Sequence, residues 1–277
     1  MAFNIEEYLN SLPLDTTYID LSYRGLTYLP DLSRFKQLTH LYCSKNQLSE
    51  LPPLNYKLER LYCDYNQLTE LPPLNNNLTI LNCSHNQLTK LPPLNDKLIQ
   101  LFCYDNQLTE LPPLNDKLIQ LYCHYNNLTS LPPLNDKLTQ LYCHHNQLTE
   151  LPQLNNNLQG LICSFNQLTE LPPLNNKLTV LYCHHNQLTW LPPLNNNLQF
   201  LDCSNNNIKN INNNNIIQTL RNFRNTYYLL KFKKHFKRWL WEKVREPKIM
   251  AKFHPSHLDA LEETDDLEVF LEDWINK

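Results

Sequence analysis

A period of 20 residues governs most of this chain of 277 residues. The motif Leu-Pro-Pro-Leu, or Leu-Pro-Gln-Leu in one copy, begins at residue 51 and returns every 20 residues up to residue 191. Each copy leads into the same spacing of apolar positions, shown by Leu58-x-x-Leu61-x-Cys63-x-x-Asn66-x-Leu68. One such unit carries more apolar side chains than it can bury alone. The period therefore predicts a stack of near-identical units that share one continuous core.

Each unit contains a short stretch in which apolar and polar residues alternate, as in Leu61-Tyr62-Cys63. Alternation predicts a strand with Leu61 and Cys63 on one face and Tyr62 on the other. Stacked units would join these strands into a parallel sheet, with about ten strands between residues 16 and 207. The Pro-Pro pairs on the opposite side favour an extended, polyproline-like backbone. We therefore expect a solenoid with a concave sheet and a thin convex side without helices.

Two segments without the period flank the repeats. Residues 1–15 predict an N-terminal helical cap, because Ile5, Tyr8 and Leu9 share one helix face after Asn4. In residues 208–277 we predict an amphipathic basic helix that ends before Pro247, followed by an acidic tail. Residues 221–257 hold 11 Lys and Arg against two Glu, whereas residues 258–277 hold eight Asp and Glu against one Lys.

The basic helix admits two functions. It could cap the far end of the solenoid, with the acidic tail folded against it. Alternatively, basic residues interleaved with aromatic ones could bind nucleic acid or an anionic membrane surface. The nearby acidic tail would compete with phosphates and favours the cap.

All nine cysteines stand at the third apolar position of successive units. An inward position suits a small apolar side chain, so we expect a buried ladder of thiols. Its central members are Cys63, Cys83, Cys103, Cys123 and Cys143. The odd number, the lack of a visible secretory signal and side chains that lie parallel all argue against disulfides. Reduced thiols indicate a reducing, intracellular compartment.

A second ladder consists of the asparagines that follow each strand. Its central members are Asn66, Asn86, Asn106, Asn126 and Asn146. Each stands where the chain turns, and its amide can pair with backbone groups that the turn leaves unpaired. We expect this ladder to stabilise the turns.

The tripeptide Cys143-His144-His145 suggests a zinc site. In a strand, however, Cys143 and His144 leave opposite faces, so they cannot close on one ion. A weaker alternative pairs His124 with His144 on adjacent strands, but two imidazoles without a further ligand form a poor site. We expect neither a metal nor another cofactor.

The outward strand positions form an almost continuous aromatic stripe. The candidate partner-binding residues are Tyr42, Tyr62, Phe102, Tyr104, Tyr122, His124, Tyr142, His144, Tyr182 and His184. Aromatic side chains are enriched in protein interfaces, and repeat arrays use their concave faces for binding. The alternative is that the rings only stabilise the sheet by stacking across strands.

The sequence offers no catalytic constellation outside these periodic columns. The chain has only two glycines, Gly25 and Gly160, which excludes the glycine-rich phosphate loop of P-loop enzymes. We therefore predict a non-enzymatic protein-binding scaffold, with nucleic-acid binding through the basic helix as the alternative.

The unit LPPLxxxLxxLxCxxNxLTx resembles the short leucine-rich repeats of bacterial type III effectors and of giant DNA viruses of amoebae. The segment RWLWEKVREPKIMAKFHPSHL, residues 238–258, resembles a C-terminal element of mimivirus-type proteins. The resemblance implies a leucine-rich repeat solenoid of viral origin, acting in the host cytoplasm, and no known biochemical activity. Some bacterial relatives carry a ubiquitin-ligase domain with a nucleophilic cysteine. Residues 208–277 contain no cysteine, so that activity is not carried over.

Overall fold

The computed structural model describes residues 3–208. This part of the chain forms one short helix followed by ten strands of three residues each. The helix is α1 (Ile5–Ser11), and the strands are β1 (Tyr18–Asp20), β2 (His40–Tyr42), β3 (Arg60–Tyr62), β4 (Ile80–Asn82), β5 (Gln100–Phe102), β6 (Gln120–Tyr122), β7 (Gln140–Tyr142), β8 (Gly160–Ile162), β9 (Val180–Tyr182) and β10 (Phe200–Asp202). The strands lie side by side in chain order in a single sheet. The predicted parallel solenoid is confirmed, and each strand with its 20-residue unit is called a rung below.

The register of the sheet follows the sequence period. Leu61 is paired with Leu41 on one side and Leu81 on the other, and every neighbouring pair of strands is parallel. The first step is longer, since Ile19 is paired with Leu41. Equivalent residues therefore stand in straight columns along the solenoid, one residue per rung.

The core lies between the sheet and the convex side and runs through all rungs. Leu58, Leu61, Cys63 and Leu68 are almost completely buried, and their equivalents repeat this from rung to rung. Strands of three residues have no independent stability, so the sheet depends on the apolar surface that neighbouring rungs bury together.

The convex side contains no helix among residues 12–208, in agreement with the prediction. It is held by a second row of asparagines, which the repeat pattern alone does not identify as structural. Asn115 donates from Nδ2 to the carbonyls of Asn95 at 2.8 Å and Leu98 at 3.1 Å, and its Oδ1 accepts from the Lys117 N–H at 2.7 Å. Because each asparagine bonds the preceding rung, this row ties the convex turns together.

Helix α1 lies at the N-terminal end of the described residues, where the sequence predicts a helix. The Asn4 side chain caps it by accepting from the Glu7 N–H at 3.2 Å, which satisfies one of the free donors of the first turn. Ile5 and Leu9 are buried against the first rungs. The predicted C-terminal helical cap, with its basic helix and acidic tail, lies outside the described residues.

Among residues 3–208, no helix is long and apolar enough to cross a lipid bilayer.

Candidate functional site

The cysteines and histidines of the zinc-like tripeptides lie on opposite sides of the sheet. Cys143 is fully buried in the core, whereas the half-buried His144 belongs to the concave face. Within residues 3–208, no group of three or more His, Cys, Asp or Glu residues could hold a metal ion. Cys143 and His144 are therefore too far apart in direction to share one ion, and no third ligand of these types joins the pair His124 and His144 in that part of the chain.

The cysteine ladder lies inside the solenoid as free thiols. Eight of the nine cysteines are buried, and Cys203 on the last described rung is partly exposed. Burial raises the pKa of Cys123 and of Cys163 to about 12. Because the thiolate is the reactive form, these side chains act as small apolar groups at neutral pH.

The asparagine ladder lies beside the ends of the strands and pairs with the backbone of two rungs. Asn126 donates from Nδ2 to the carbonyls of Cys103 and Cys123, both at 3.1 Å. Its Oδ1 accepts from the Leu108 N–H at 2.9 Å. The same bonds recur at Asn66, Asn86, Asn106 and Asn146. The ladder is structural, and its members do not belong to the concave surface.

The middle column of the concave face consists of the last residue of each strand from β2 to β10. Tyr42 and Tyr62 stack with ring centroids 4.8 Å apart, and Tyr122 and Tyr142 stack at 4.3 Å. Phe102 meets Tyr122 edge to face at 5.0 Å. These rings are half-buried rather than fully solvent-facing, because each covers part of its neighbour.

The third column stands two residues further along each rung. Tyr104 stacks on His124 at 4.4 Å, and His124 stacks on His144 at 4.3 Å. The buried residue Ser164 follows in this column and interrupts the stack before His184. Burial lowers the pKa of His124 to about 4 and that of His144 to about 3. Both imidazoles are therefore neutral at physiological pH.

A further column, which we call the rim column, follows directly after the third column and was not singled out from the sequence. Its ten residues are Tyr23, Lys45, Tyr65, His85, Asp105, Tyr125, His145, Phe165, His185 and Asn205, all with φ between 51° and 58°. Six of these side chains stack on a ring of the neighbouring rung, namely Tyr65, His85, Tyr125, His145, Phe165 and His185. The ring centroids of Tyr125 and His145 are 4.3 Å apart. The ring centroid of Phe165 lies 4.1 Å from that of His145 and 4.2 Å from that of His185.

The rim column joins the third column through edge-to-face contacts. Tyr125 meets His144 at 5.5 Å, and Phe165 meets His184 at 5.2 Å. The aromatic surface is consequently wider than the sequence indicated. A signal was present in the Tyr, His or Phe that precedes six of the nine ladder asparagines, but the period alone does not say that this residue faces outward.

The concave surface holds no Asp, Glu, Lys or Arg over the rungs of β6 to β9. Its outward positions there hold Gln, Gly, Val, Tyr, Ile, His and Ser, and the adjoining rim column holds Tyr125, His145, Phe165 and His185. Charged side chains appear only beyond this stretch, for example Asp105 on one side and Asp202 on the other. We call the outward strand and rim positions of the β6 to β9 rungs the neutral aromatic patch.

Comparison with known proteins supports the repeat assignment. The family model for leucine-rich repeats in two copies matches residues 56–96. Among solved structures, YopM from Yersinia enterocolitica shares 32% identity over 73% of this chain and 49% of its own, with a TM-score of 0.66. YopM from Yersinia pestis, described as a leucine-rich effector protein, shares 34% identity over 69% of this chain and 61% of its own, with a TM-score of 0.64. No curated protein sequence matches the chain significantly.

A third similar structure is the leucine-rich repeat domain of APL1B, with 25% identity over 68% of each chain and a TM-score of 0.53. The chain spans about half of one YopM structure and about three fifths of the other. The repeat motif, the single parallel sheet and these similarities agree on one architecture. The chain is a leucine-rich repeat protein.

Proposed function

We propose that this protein is a non-enzymatic scaffold that binds a protein partner through the neutral aromatic patch. One observation carries the proposal: aromatic and imidazole rings run without a charged group across four neighbouring rungs and remain partly exposed. Leucine-rich repeat arrays are interaction modules that present extended concave surfaces. Tyrosine provides rigid contact area at low entropic cost, which suits such a surface.

The rim column supplies an independent argument. Left-handed backbone is tolerated best by Gly, Asn and Asp, and costs a bulky residue roughly 1 kcal/mol. Asp105 and Asn205 show that this position accepts such residues. Tyr125 and Phe165 stand there instead, and Tyr125 is 49% exposed. Backbone conformation does not call for these rings, so we attribute them to contact with a partner.

Electrostatics narrow the class of partner. The neutral aromatic patch offers no Lys or Arg to pair with phosphates, and nucleic-acid affinity depends mainly on such pairs. Burying an isolated charge against uncharged side chains is costly. A protein surface with neutral polar and apolar contacts fits best, and the resemblance to a protein described as a leucine-rich effector supports a scaffold role.

The test compares two triple variants. The first replaces Tyr122, Tyr142 and Tyr182 by Ser, and the second replaces Tyr125, His145 and Phe165 by Asn. Partners captured with the intact protein are purified, and their Kd values are measured by calorimetry. We expect each triple variant to weaken binding by at least about 100-fold, since aromatic residues at interface centres contribute most of the affinity.

The matched control is Tyr56→Asn, which removes an aromatic side chain that is 59% exposed on the convex side. It should leave both the Kd and the urea midpoint unchanged. The two triple variants should stay folded and lose roughly 0.2–1 kcal/mol of stability for each stacked pair that they remove. Partner affinity that ignores both triple changes would refute the proposal. Salt-sensitive binding of RNA or DNA that ignores them would support the alternative function, which the sequence assigns to the basic segment within residues 208–277.

We further propose that the protein works in a reducing compartment, which the resemblance to giant-virus proteins suggests is the host cytoplasm. The nine free thiols support this proposal, because the cysteines of a secreted chain would meet an oxidising environment before they are buried by folding. Fractionation of infected amoebae with an antibody against the protein tests both the origin and the location. Detection only in an oxidising, secretory fraction would contradict the proposal.

A further inference from the structure

His124 and His144 form the centre of the third column. Their rings are stacked 4.3 Å apart with an interplanar angle of 11°. The Nδ1 atom of His144 is buried and has no hydrogen-bond partner among the described residues. A proton on either ring would therefore place a positive charge against a neighbouring imidazole in a half-buried site.

The groups around His144 do not compensate such a charge. The titratable groups that act on it are three imidazoles, those of His124, His145 and His184. The ring of Tyr125 contacts it edge to face at 5.5 Å. Imidazoles repel a protonated His144 if they are protonated themselves, and they offer it no counter-charge if they are neutral.

The groups around His124 are more mixed. His85 and His145 disfavour its protonation, whereas Asp105 and the carbonyl of Tyr142 favour it. The surrounding rings are those of Tyr104, Tyr122, Tyr125 and His144. Burial outweighs the favourable contacts.

We propose that the stacked pair His124–His144 is an acid-sensitive element, in which protonation separates the two rings and loosens the middle of the solenoid. Each rung contacts only its neighbours, so the loosening should be centred on β6 and β7. The inference goes beyond partner binding and holds whether or not the neutral aromatic patch is the binding face.

The sign of the pH dependence follows from the pKa values. The pKa of an imidazole is about 6.5 in an unfolded chain, whereas burial lowers the pKa of His124 to about 4 and that of His144 to about 3. At pH values between about 6.5 and 4, the unfolded chain binds protons that the folded chain does not. Stability is therefore fully present above pH 6.5 and falls as the pH decreases below it.

The experiment measures urea unfolding of the full chain at pH 7.5 and pH 5.0. Three proteins are compared: the native chain, the double variant H124Q/H144Q, and the control H40Q, which removes a histidine on β2 outside the stacked pair. We expect acidification to reduce the folding equilibrium constant of the native chain and of H40Q. The ratio of the folding equilibrium constants at pH 7.5 and pH 5.0 measures this acid loss. Each ring that is removed should lower that ratio by roughly tenfold, so the ratio in H124Q/H144Q should be well below that of the native chain.

An equal acid loss in the native chain and in H124Q/H144Q would overturn the inference. Should the double variant fail to fold, NMR titration of the histidines in the native chain decides the matter. Imidazole pKa values well below 6.5 for both residues support the acid-sensitive element. Values near 6.5 for His124 and His144 refute it.

Discussion

At the scale of single residues, asparagine performs two different structural tasks in this fold. The ladder asparagines such as Asn126 pair with backbone groups of two rungs beside the strand ends. The convex asparagines such as Asn115 connect successive turns on the other side. Asn126 and Asn115 are both buried, so removing either side chain leaves several backbone groups without partners.

We predict that Asn126→Ala lowers the free energy of unfolding by about 1–3 kcal/mol, because the Leu108 N–H and the strand-end carbonyls lose their partner. The control is Asn156→Ala at an exposed position of the convex turn. It should change stability by no more than ~0.5 kcal/mol. Urea unfolding measures both values. Equal effects at Asn126 and Asn156 would contradict the structural role assigned to the asparagine ladder.

The two glycines provide a second prediction at this scale. A Cβ on Gly160 would come within 2.6 Å of Gln140 Oε1, the far end of a flexible side chain that can swing away. A Cβ on Gly25 would meet nothing within 4 Å, but its φ of +68° is unfavourable for alanine. We expect Gly25→Ala to cost about 1 kcal/mol and Gly160→Ala to cost less. The reverse order in thermal or urea unfolding would contradict this assignment.

At the scale of elements, the strands and α1 depend on their neighbours in different ways. Every inner strand is covered by a rung on each side, whereas β1 has only one neighbouring strand. The apolar face of α1 supplies buried contacts at that end through Ile5 and Leu9. A repeat array needs such a terminal cap to shield its first core residues.

We predict that Leu9→Ala destabilises the array by about 2–5 kcal/mol, as expected for truncation of a leucine that is 2% exposed. Leu14→Ala is the matched control, because Leu14 lies just after the helix and is 68% exposed. Its effect should stay within about 0.5 kcal/mol. Hydrogen exchange at β1 and β2 should increase in the first variant alone, and unchanged exchange there would argue against a capping role.

At the scale of the whole molecule, the cysteine ladder reports how the solenoid opens. The thiols run along the core from Cys43 to Cys203, and only Cys203 is partly exposed. Burial raises the pKa of Cys203 to about 12, and the pKa of Cys63 is also well above its ordinary value. Reaction with a thiol reagent therefore requires both access and opening of the structure.

We predict that a bulky thiol reagent modifies the native protein slowly, with Cys203 reacting first, and that all nine thiols react in denaturant. Mass spectrometry after brief labelling identifies the modified positions. Rapid modification of Cys123 or Cys143 in the native state would contradict the buried ladder. Stoichiometric zinc or protected disulfides in the purified protein would contradict it as well.

Much of this fold could be predicted from the sequence because two periods act together. The alternation within Leu61-Tyr62-Cys63 assigns each side chain to a face, and the 20-residue period aligns equivalent residues in columns. These rules were sufficient for the parallel sheet, the inward cysteines and the helix-free convex side. They also separated Cys143 from His144 without any coordinates.

The tertiary structure decided what those rules leave open. Tyr125 joins the concave surface because the backbone of its turn is left-handed. The pKa of His144 is lowered by burial, to which the ring of His124, 20 residues away in the chain, contributes by stacking on it. The convex row around Asn115 likewise acts through carbonyls of the preceding rung. Sequence spacing determines the direction in which a side chain leaves the backbone, but burial, stacking and hydrogen-bond partners arise only when neighbouring rungs are packed together.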